Sequence, residues 1–513
     1  MALTSRSAAW LGACAGGLAV AAMLLLRVVA GVPALLDVLG SGLALMLPGP
    51  VFGSLIDALQ EKGRPFLLLA TALMLVVVSS LLAIFMARRT GPGVAGQPAT
   101  GSGRRGPYLR RWLIAGLLLW VVTLPLVVVA QGGVRTAATY TTLGDWLLIS
   151  ALVQILLAMS RRGGAQPGVL GSRHLGVMTR RQFLASSGAV VGAASLGYLG
   201  ARVIFAGASP ALTSAPAGGA RAALPAGITS TSDFYVVSKD LFGPPSIDPA
   251  SWRLALAGRA DDSIGYGELL ALSDVDQVQT LECISNPVGG TLISNGSWRG
   301  VPLARLLQRV GVPAGTRTII FNCADGYSES LPLEEAMAES TLVATRLDGK
   351  PLPALHGFPA RILVPGHYGM KDPKWLTRIS TSSGDYTGYW EAQGWNAAAV
   401  PHIFSRFDFP PGSARLEAGR AYLLSGVAFA GNIGIGLVQV SLDGGRHWVD
   451  ADLERPLSSY AWTIWSLPWR PQAGIYTLTV RARDRRGRLQ ASPDTGTYPN
   501  GASGRQQIVV IAS

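Results

Sequence analysis

Cys283 lies in the run Leu281-Glu282-Cys283-Ile284-Ser285-Asn286, and Asn295-Gly296-Ser297-Trp298-Arg299-Gly300 follows it closely. A soft thiolate is the side chain suited to hold a heavy transition metal such as molybdenum or copper(I). The chain has three cysteines, of which Cys14 sits in a hydrophobic N-terminal stretch. Taken alone, Cys283 reads three ways: metal ligand, buried thiol, or half of a disulfide with Cys323 in an oxidising compartment. Further along come Asn322-Cys323-Ala324-Asp325-Gly326-Tyr327, His356-Gly357-Phe358-Pro359-Ala360-Arg361 and Lys374-Trp375. They offer an acid, a phenol, an imidazole, a guanidinium and an ammonium group. Singly, each has a plain reading as a turn or loop residue.

These residues need a globular scaffold, and the chain supplies one only in its later part. Of 513 residues, 14% are charged, too few for a wholly soluble protein of this size. The net charge of +13 is carried by arginine, with five lysines. No basic stripe is interleaved with aromatics, which argues against nucleic-acid binding. Three cysteines make no disulfide framework.

Five apolar stretches run near 9–30, 66–86, 112–130, 142–159 and 182–205, each close to the roughly 20 residues that cross a bilayer. The segment 40–59 contains Pro48, Gly49 and Pro50 and reads as re-entrant or interfacial. Arginines cluster between the second and third stretches and between the fourth and fifth, which places both loops in the cytoplasm. Five crossings then put everything after residue 205 on the outer side of the cytoplasmic membrane. Thr179-Arg180-Arg181-Gln182-Phe183-Leu184 before the last stretch resembles a twin-arginine export signal. The competing reading is an ordinary positive flank.

Residues 206–230 form an Ala/Gly/Pro/Ser/Thr linker. The region 231–405 reads as α+β. Thr318–Phe321 and Ala360–Val364 are expected as buried strands, and Leu303–Val310 as a helix with apolar positions 303, 306, 307 and 310. From 406 to 513 the pattern is all-β. Leu437–Ser441, Asp443-Gly444-Gly445 and His447–Val449 read as a hairpin within an immunoglobulin-like sandwich.

In order, the fragments of 231–510 resemble the sulfite oxidase family of molybdopterin enzymes, and the membrane-like N-terminus resembles a membrane-bound bacterial subgroup. The fragments are Leu281-Glu282-Cys283, Trp298 through Leu303, Asp325, Tyr327 through Pro332, His356 through Arg361, Val364-Pro365-Gly366 and Lys374-Trp375-Leu376. Val438 through Gly445, Trp448 and Arg481 through Asp484 are similar to the family's dimerisation domain. The resemblance implies a molybdenum–molybdopterin cofactor, with Cys283 as metal ligand. It implies that His356, Arg361 and Lys374 hold the phosphate end and that Asp325 bonds the pterin. Tyr327 would face the reacting oxygen, and Phe234 and Tyr235 would make the first pterin contacts. A homodimer through the sandwich is also implied.

One departure bears on substrate. Classical members follow the ligand cysteine with Ala-Gly-Asn-Arg-Arg, whose arginine helps bind an anion; this chain has Ile284-Ser285-Asn286-Pro287-Val288. Arg299 is a candidate to rebuild such a pocket. The expected activity is two-electron oxygen-atom transfer on a sulfite-like oxyanion or an S- or N-oxide. The alternative is a non-enzymatic, membrane-anchored binding protein with a degenerate enzyme-like domain. The electron partner is a quinone or a separate carrier, because no histidine lies in a span to hold a haem and no cysteine cluster exists for iron–sulfur.

Overall fold

The computed structural model describes residues 5–30, 63–88, 136–162, 224–239 and 244–513, with isolated positions between the first three stretches. The first three are α1 (Ser5–Ala30), α2 (Gly63–Arg88) and α3 (Thr136–Arg162). They pack through small residues. A Cβ on Gly12 or Gly16 would run into α2 at Ser79, which is why the two helices can approach so closely.

Among the described residues, one helix is long and apolar enough to cross a membrane, over Leu69–Met86, with mean hydropathy 2.5. Ser7–Met23 and Thr142–Val153 are shorter apolar pieces. Five spans are therefore not what the described residues support. Asp145 and the threonines that open α3 interrupt its apolar run. The stretch 182–205, the twin-arginine-like motif and the segment 40–59 lie outside the described residues.

The α+β region contains β1 (Arg253–Ala257), β2 (Asp261–Gly265), α4 (Tyr266–Leu272), β3 (Val275–Glu282), β4 (Ile293–Pro302), α5 (Leu303–Val310) and β5 (Thr318–Cys323). β6 (Ser328–Pro332), α6 (Leu333–Ala336), β7 (Leu342–Leu347), β8 (Lys350–Pro351), β9 (Arg361–Leu363) and β10 (Leu376–Ser382) complete it. One sheet has the order β2-β1-β10-β5-β6 and the other β3-β4-β7-β8, with β9 on β7. Helix α5 spans the residues expected from its periodicity. It buries Leu303, Leu306, Leu307 and Val310 against Leu254, Ile319 and Phe321. Each such buried side chain stabilises by about 1.5–3 kcal/mol.

The C-terminal region is a two-sheet sandwich. Its strands are β11 (Phe404–Phe409), β12 (Arg415–Leu416), β13 (Tyr422–Phe429), β14 (Ile435–Ser441), β15 (Val449–Asp450), β16 (Asp452–Leu453), β17 (Thr463–Trp469), β18 (Gly474–Asp484) and β19 (Gln507–Ala512). The sheets are ordered β11-β13-β17-β16 and β12-β19-β18-β14-β15. The expected hairpin forms, with Val440 opposite Val449. Val438, Val440, Leu478 and Val480 from one sheet meet Leu424 and Trp465 from the other.

Gly426 is required where β13 crosses β11. A Cβ there would collide with the Arg406 carbonyl oxygen and come within 2.8 Å of the Trp465 ring. Backbone and a buried indole cannot give way cheaply. Gly426→Ala is expected to destabilise the sandwich by about 1–3 kcal/mol. The check is the urea midpoint followed by tryptophan fluorescence; an unchanged midpoint would mean that the strands can separate.

Candidate active site

β3 and β4 pair in register from Val275–Gly300 to Glu282–Ile293, so Cys283 opens the loop that joins them. Its N–H donates to the Leu292 carbonyl at 2.9 Å. Asn286, itself buried, staples the loop: its Nδ2 donates to Glu282 at 2.9 Å and its Oδ1 accepts from the Leu292 N–H at 2.9 Å. Gly290 lets the chain pass, since a Cβ there would strike the Asn286 side-chain oxygen. This rigid turn presents the Cys283 sulfur, which lies 3.1 Å from the Ser285 hydroxyl. Cys283 and Cys323 are both free thiols, so the disulfide reading is overturned. They stand on separate sheets, β3 leading to one and β5 ending in the other.

Burial pushes the Cys283 thiol up, and Ser285 opposes the shift. The protein alone therefore favours the protonated thiol. A metal ion held by Cys283 would displace that proton, since coordination requires the thiolate.

The expected cationic residues assemble. His356 sits in a single helical turn before Gly357, and Arg361 begins β9; both are buried. Arg361 donates to the carbonyls of His356 at 3.2 Å and Asp372 at 3.1 Å, and its guanidinium lies 5.2 Å over the Trp298 ring. Phe234 meets Trp298 edge-on at 5.4 Å and His356 at 5.5 Å. Lys374 Nζ donates to the Val237 carbonyl at 2.9 Å. Burial, then Arg361 and Lys374, hold the His356 imidazole down at about 4, so it is neutral at physiological pH. Gly357, at φ 111°, keeps room between the two cations; a Cβ would come within 3.1 Å of both side chains. Tyr235 stacks on Phe234 at 5.9 Å, and burial pushes its phenol well above the ordinary value.

These residues suit an anionic pterin cofactor. Arg361 Nε is buried with no hydrogen-bond partner, so the guanidinium keeps donor capacity that a phosphate oxygen would meet. Asp325 accepts from the Tyr327 N–H at 3.0 Å and stands 4.0 Å from buried Lys239.

Tyr327, expected to face a reacting oxygen, has its hydroxyl engaged within the protein. Its hydroxyl donates to the Met370 carbonyl at 2.7 Å, with Glu329 Oε2 3.3 Å away. Behind it lies a buried ionic cluster that composition did not reveal: Lys371 Nζ contacts Glu329 at 2.9 Å and also Glu391. Nor does Arg299 rebuild an anion pocket. It is bound to Asp276 at 3.2 Å, at the end of the β3–β4 ribbon remote from Cys283.

Burial raises the Glu329 carboxyl from 4.5 to about 7, against the pull of Lys371. A carboxyl raised in this way holds more protons folded than unfolded. Its contribution to stability is complete below about 4.5 and is lost as pH rises to about 7. The wild type is thus expected to lose more stability across that window than Glu329→Gln. Equal slopes in urea titrations at both ends would contradict it.

Residues 242–390 match the family model described as oxidoreductase molybdopterin binding domain, and 411–498 match the Mo-co oxidoreductase dimerisation domain. Human mitochondrial sulfite oxidase is 26% identical over 300 residues, 49% of this chain and 55% of that protein. A putative protein-methionine-sulfoxide reductase subunit YedZ1 of Azospira oryzae is 36% identical over 152 residues, 29% of this chain and 56% of that protein. The chain thus spans little more than half the length of these relatives. The crystal structure of the sulfane dehydrogenase SoxCD from Paracoccus pantotrophus aligns with TM-score 0.50 and 23% identity, covering 57% of this chain and 85% of that one. That likeness is one of fold. The matches set aside the non-enzymatic alternative.

Proposed function

We propose that this chain, which carries the molybdopterin-binding and dimerisation domains of a sulfite oxidase-like oxidoreductase, transfers an oxygen atom in a two-electron step at a small sulfur or nitrogen centre. The observation that carries the reading is the convergence of a half-buried thiol with a buried His356–Arg361 pair and Lys374. The molybdenum–molybdopterin group, when bound, supplies the two-electron redox chemistry. Cys283 would provide the protein sulfur. Arg361, His356 and Lys374 would hold the phosphate end; Asp325, Phe234 and Tyr235 would contact the pterin. Tyr327 would serve as proton donor only on releasing Met370, and Glu329 is poised beside its oxygen to share that proton.

The residues that follow Cys283 in its loop favour a neutral S- or N-oxide over a sulfite-like oxyanion. Pro287 and Val288 carry no charge, and Arg299 is committed elsewhere. Arg406 does reach the loop, donating to the Gly290 carbonyl at 2.9 Å, but Asp408 neutralises it at 2.9 Å. The YedZ1 relative's name points to the same substrate class. We place the catalytic domain outside the cytoplasmic membrane, anchored by the N-terminal region that holds the Leu69–Met86 helix and delivered by the twin-arginine-like segment. It would act as a homodimer served by a quinone or a separate carrier.

The test uses full-length protein in detergent, purified from a molybdate-replete host. Reduced viologen with methionine sulfoxide, dimethyl sulfoxide or trimethylamine N-oxide is compared with ferricyanide and sulfite. Turnover on an S- or N-oxide should exceed that on sulfite by about tenfold or more, since an unpaired anion is costly to bury. Faster sulfite oxidation would reverse the substrate assignment, and protein without bound molybdenum would sink the reading.

A further inference from the structure

A second polar site lies in the sandwich. A cleft of about 550 Å³ is lined by Val288, Gly444, Trp448, Thr479, Asp494 and Arg505, among others. The Arg481 guanidinium lies 3.9 Å over the Trp448 ring, and that of Arg505 lies 5.6 Å from it. Two cations thus share one indole. Arg481 is satisfied on its Nε, which donates to Gln439 at 2.9 Å. Arg505 is not: it makes a long bond to the Gln490 carbonyl at 3.4 Å, and its Nε is buried without a partner among the described residues. The Thr479 hydroxyl in the same wall is also buried without a partner. Natural proteins rarely leave such donors unmet. Gly444 and Gly445 place no side chain at the mouth.

We propose that this cleft binds a small organic monoanion, a carboxylate or a sulfonate, through Arg505 and Thr479, with Trp448 against its apolar part. Guanidinium and carboxylate or sulfonate oxygens match in geometry and charge. Asp494 stands in the same wall as Arg505 and opposes a second negative charge on the ligand, which favours a monoanion over a dianion. The site is distinct from the Cys283 site and does not depend on a metal there. Val288 in its wall stands five residues beyond Cys283, so a bound anion would touch the loop that carries the thiol.

The test is calorimetric titration of full-length protein in detergent with sodium methanesulfonate and sodium acetate, at ionic strength fixed with chloride. One saturable site per chain is expected. Arg505→Gln should weaken binding about tenfold or more, since a charge-assisted pair is lost. Thr479→Val, which keeps the shape, should weaken it severalfold, and Cys283→Ser should leave it unchanged. No saturable heat with either salt would overturn the proposal. So would binding that survives in both Arg505→Gln and Thr479→Val, or that disappears in Cys283→Ser. Sulfate binding more tightly than methanesulfonate would overturn the monoanion assignment.

Discussion

Cys283→Ser is expected to abolish turnover, by more than the roughly 100-fold that loss of an outer-shell group costs at a metal site. Serine keeps the size and the Ser285 contact but offers a hard oxygen whose pKa lies far above that of a thiol. The loop itself should persist, because Asn286 and the Leu292 backbone hold it without help from the sulfur. Pterin should also remain bound, since Arg361, His356 and Lys374 are untouched. The measurements are turnover, molybdenum content and pterin fluorescence after denaturation, side by side. Activity within tenfold of wild type would remove Cys283 from the metal.

Lys371→Met carries the largest expected effect on stability. Lys371 is the ammonium between two buried carboxylates, Glu329 and Glu391. Removing it leaves both acids shut from water and facing each other. Breaking a buried pair from one side costs about 3–5 kcal/mol, because the survivor is stranded rather than because the pair was strong. Part of the loss should return in the double variant Lys371→Met with Glu329→Gln, which removes one stranded charge. Urea denaturation of the three proteins decides it. A single-variant loss below about 1 kcal/mol would mean that water reaches the carboxylates.

Local pattern carried much of the fold. The spacing of Leu303, Leu306, Leu307 and Val310 specified a helix that forms over those residues. The Asp443-Gly444-Gly445 turn specified the β14–β15 hairpin. The ordered fragments also brought out the cationic group around Arg361, because each lies in a recognisable short run. Long-range placement is not carried by local pattern. Glu329 and Lys371 are 42 positions apart, and only the β5–β6 hairpin and the turn at Gly369–Lys371 bring them together. Arg299 misled for the reverse reason. Its closeness to Cys283 in sequence is cancelled by the antiparallel ribbon, which carries it back to Asp276. Among the described residues one apolar helix is long enough to cross a membrane, and in α3 the half-buried Asp145, which accepts from the Leu35 N–H, interrupts the apolar run without breaking the helix.

The β3 edge is covered by the sandwich. The Thr280 N–H donates to the Tyr460 carbonyl at 3.0 Å, and its hydroxyl accepts from the Trp462 N–H at 2.9 Å. The strand that leads into Cys283 is therefore fastened by residues about 180 positions later. A ribosome delivers roughly 5–20 residues per second, so β3 waits on the order of ten seconds or more with that edge unpaired. A nascent chain stalled before residue 460 would therefore expose an adhesive strand where the completed protein carries its thiol.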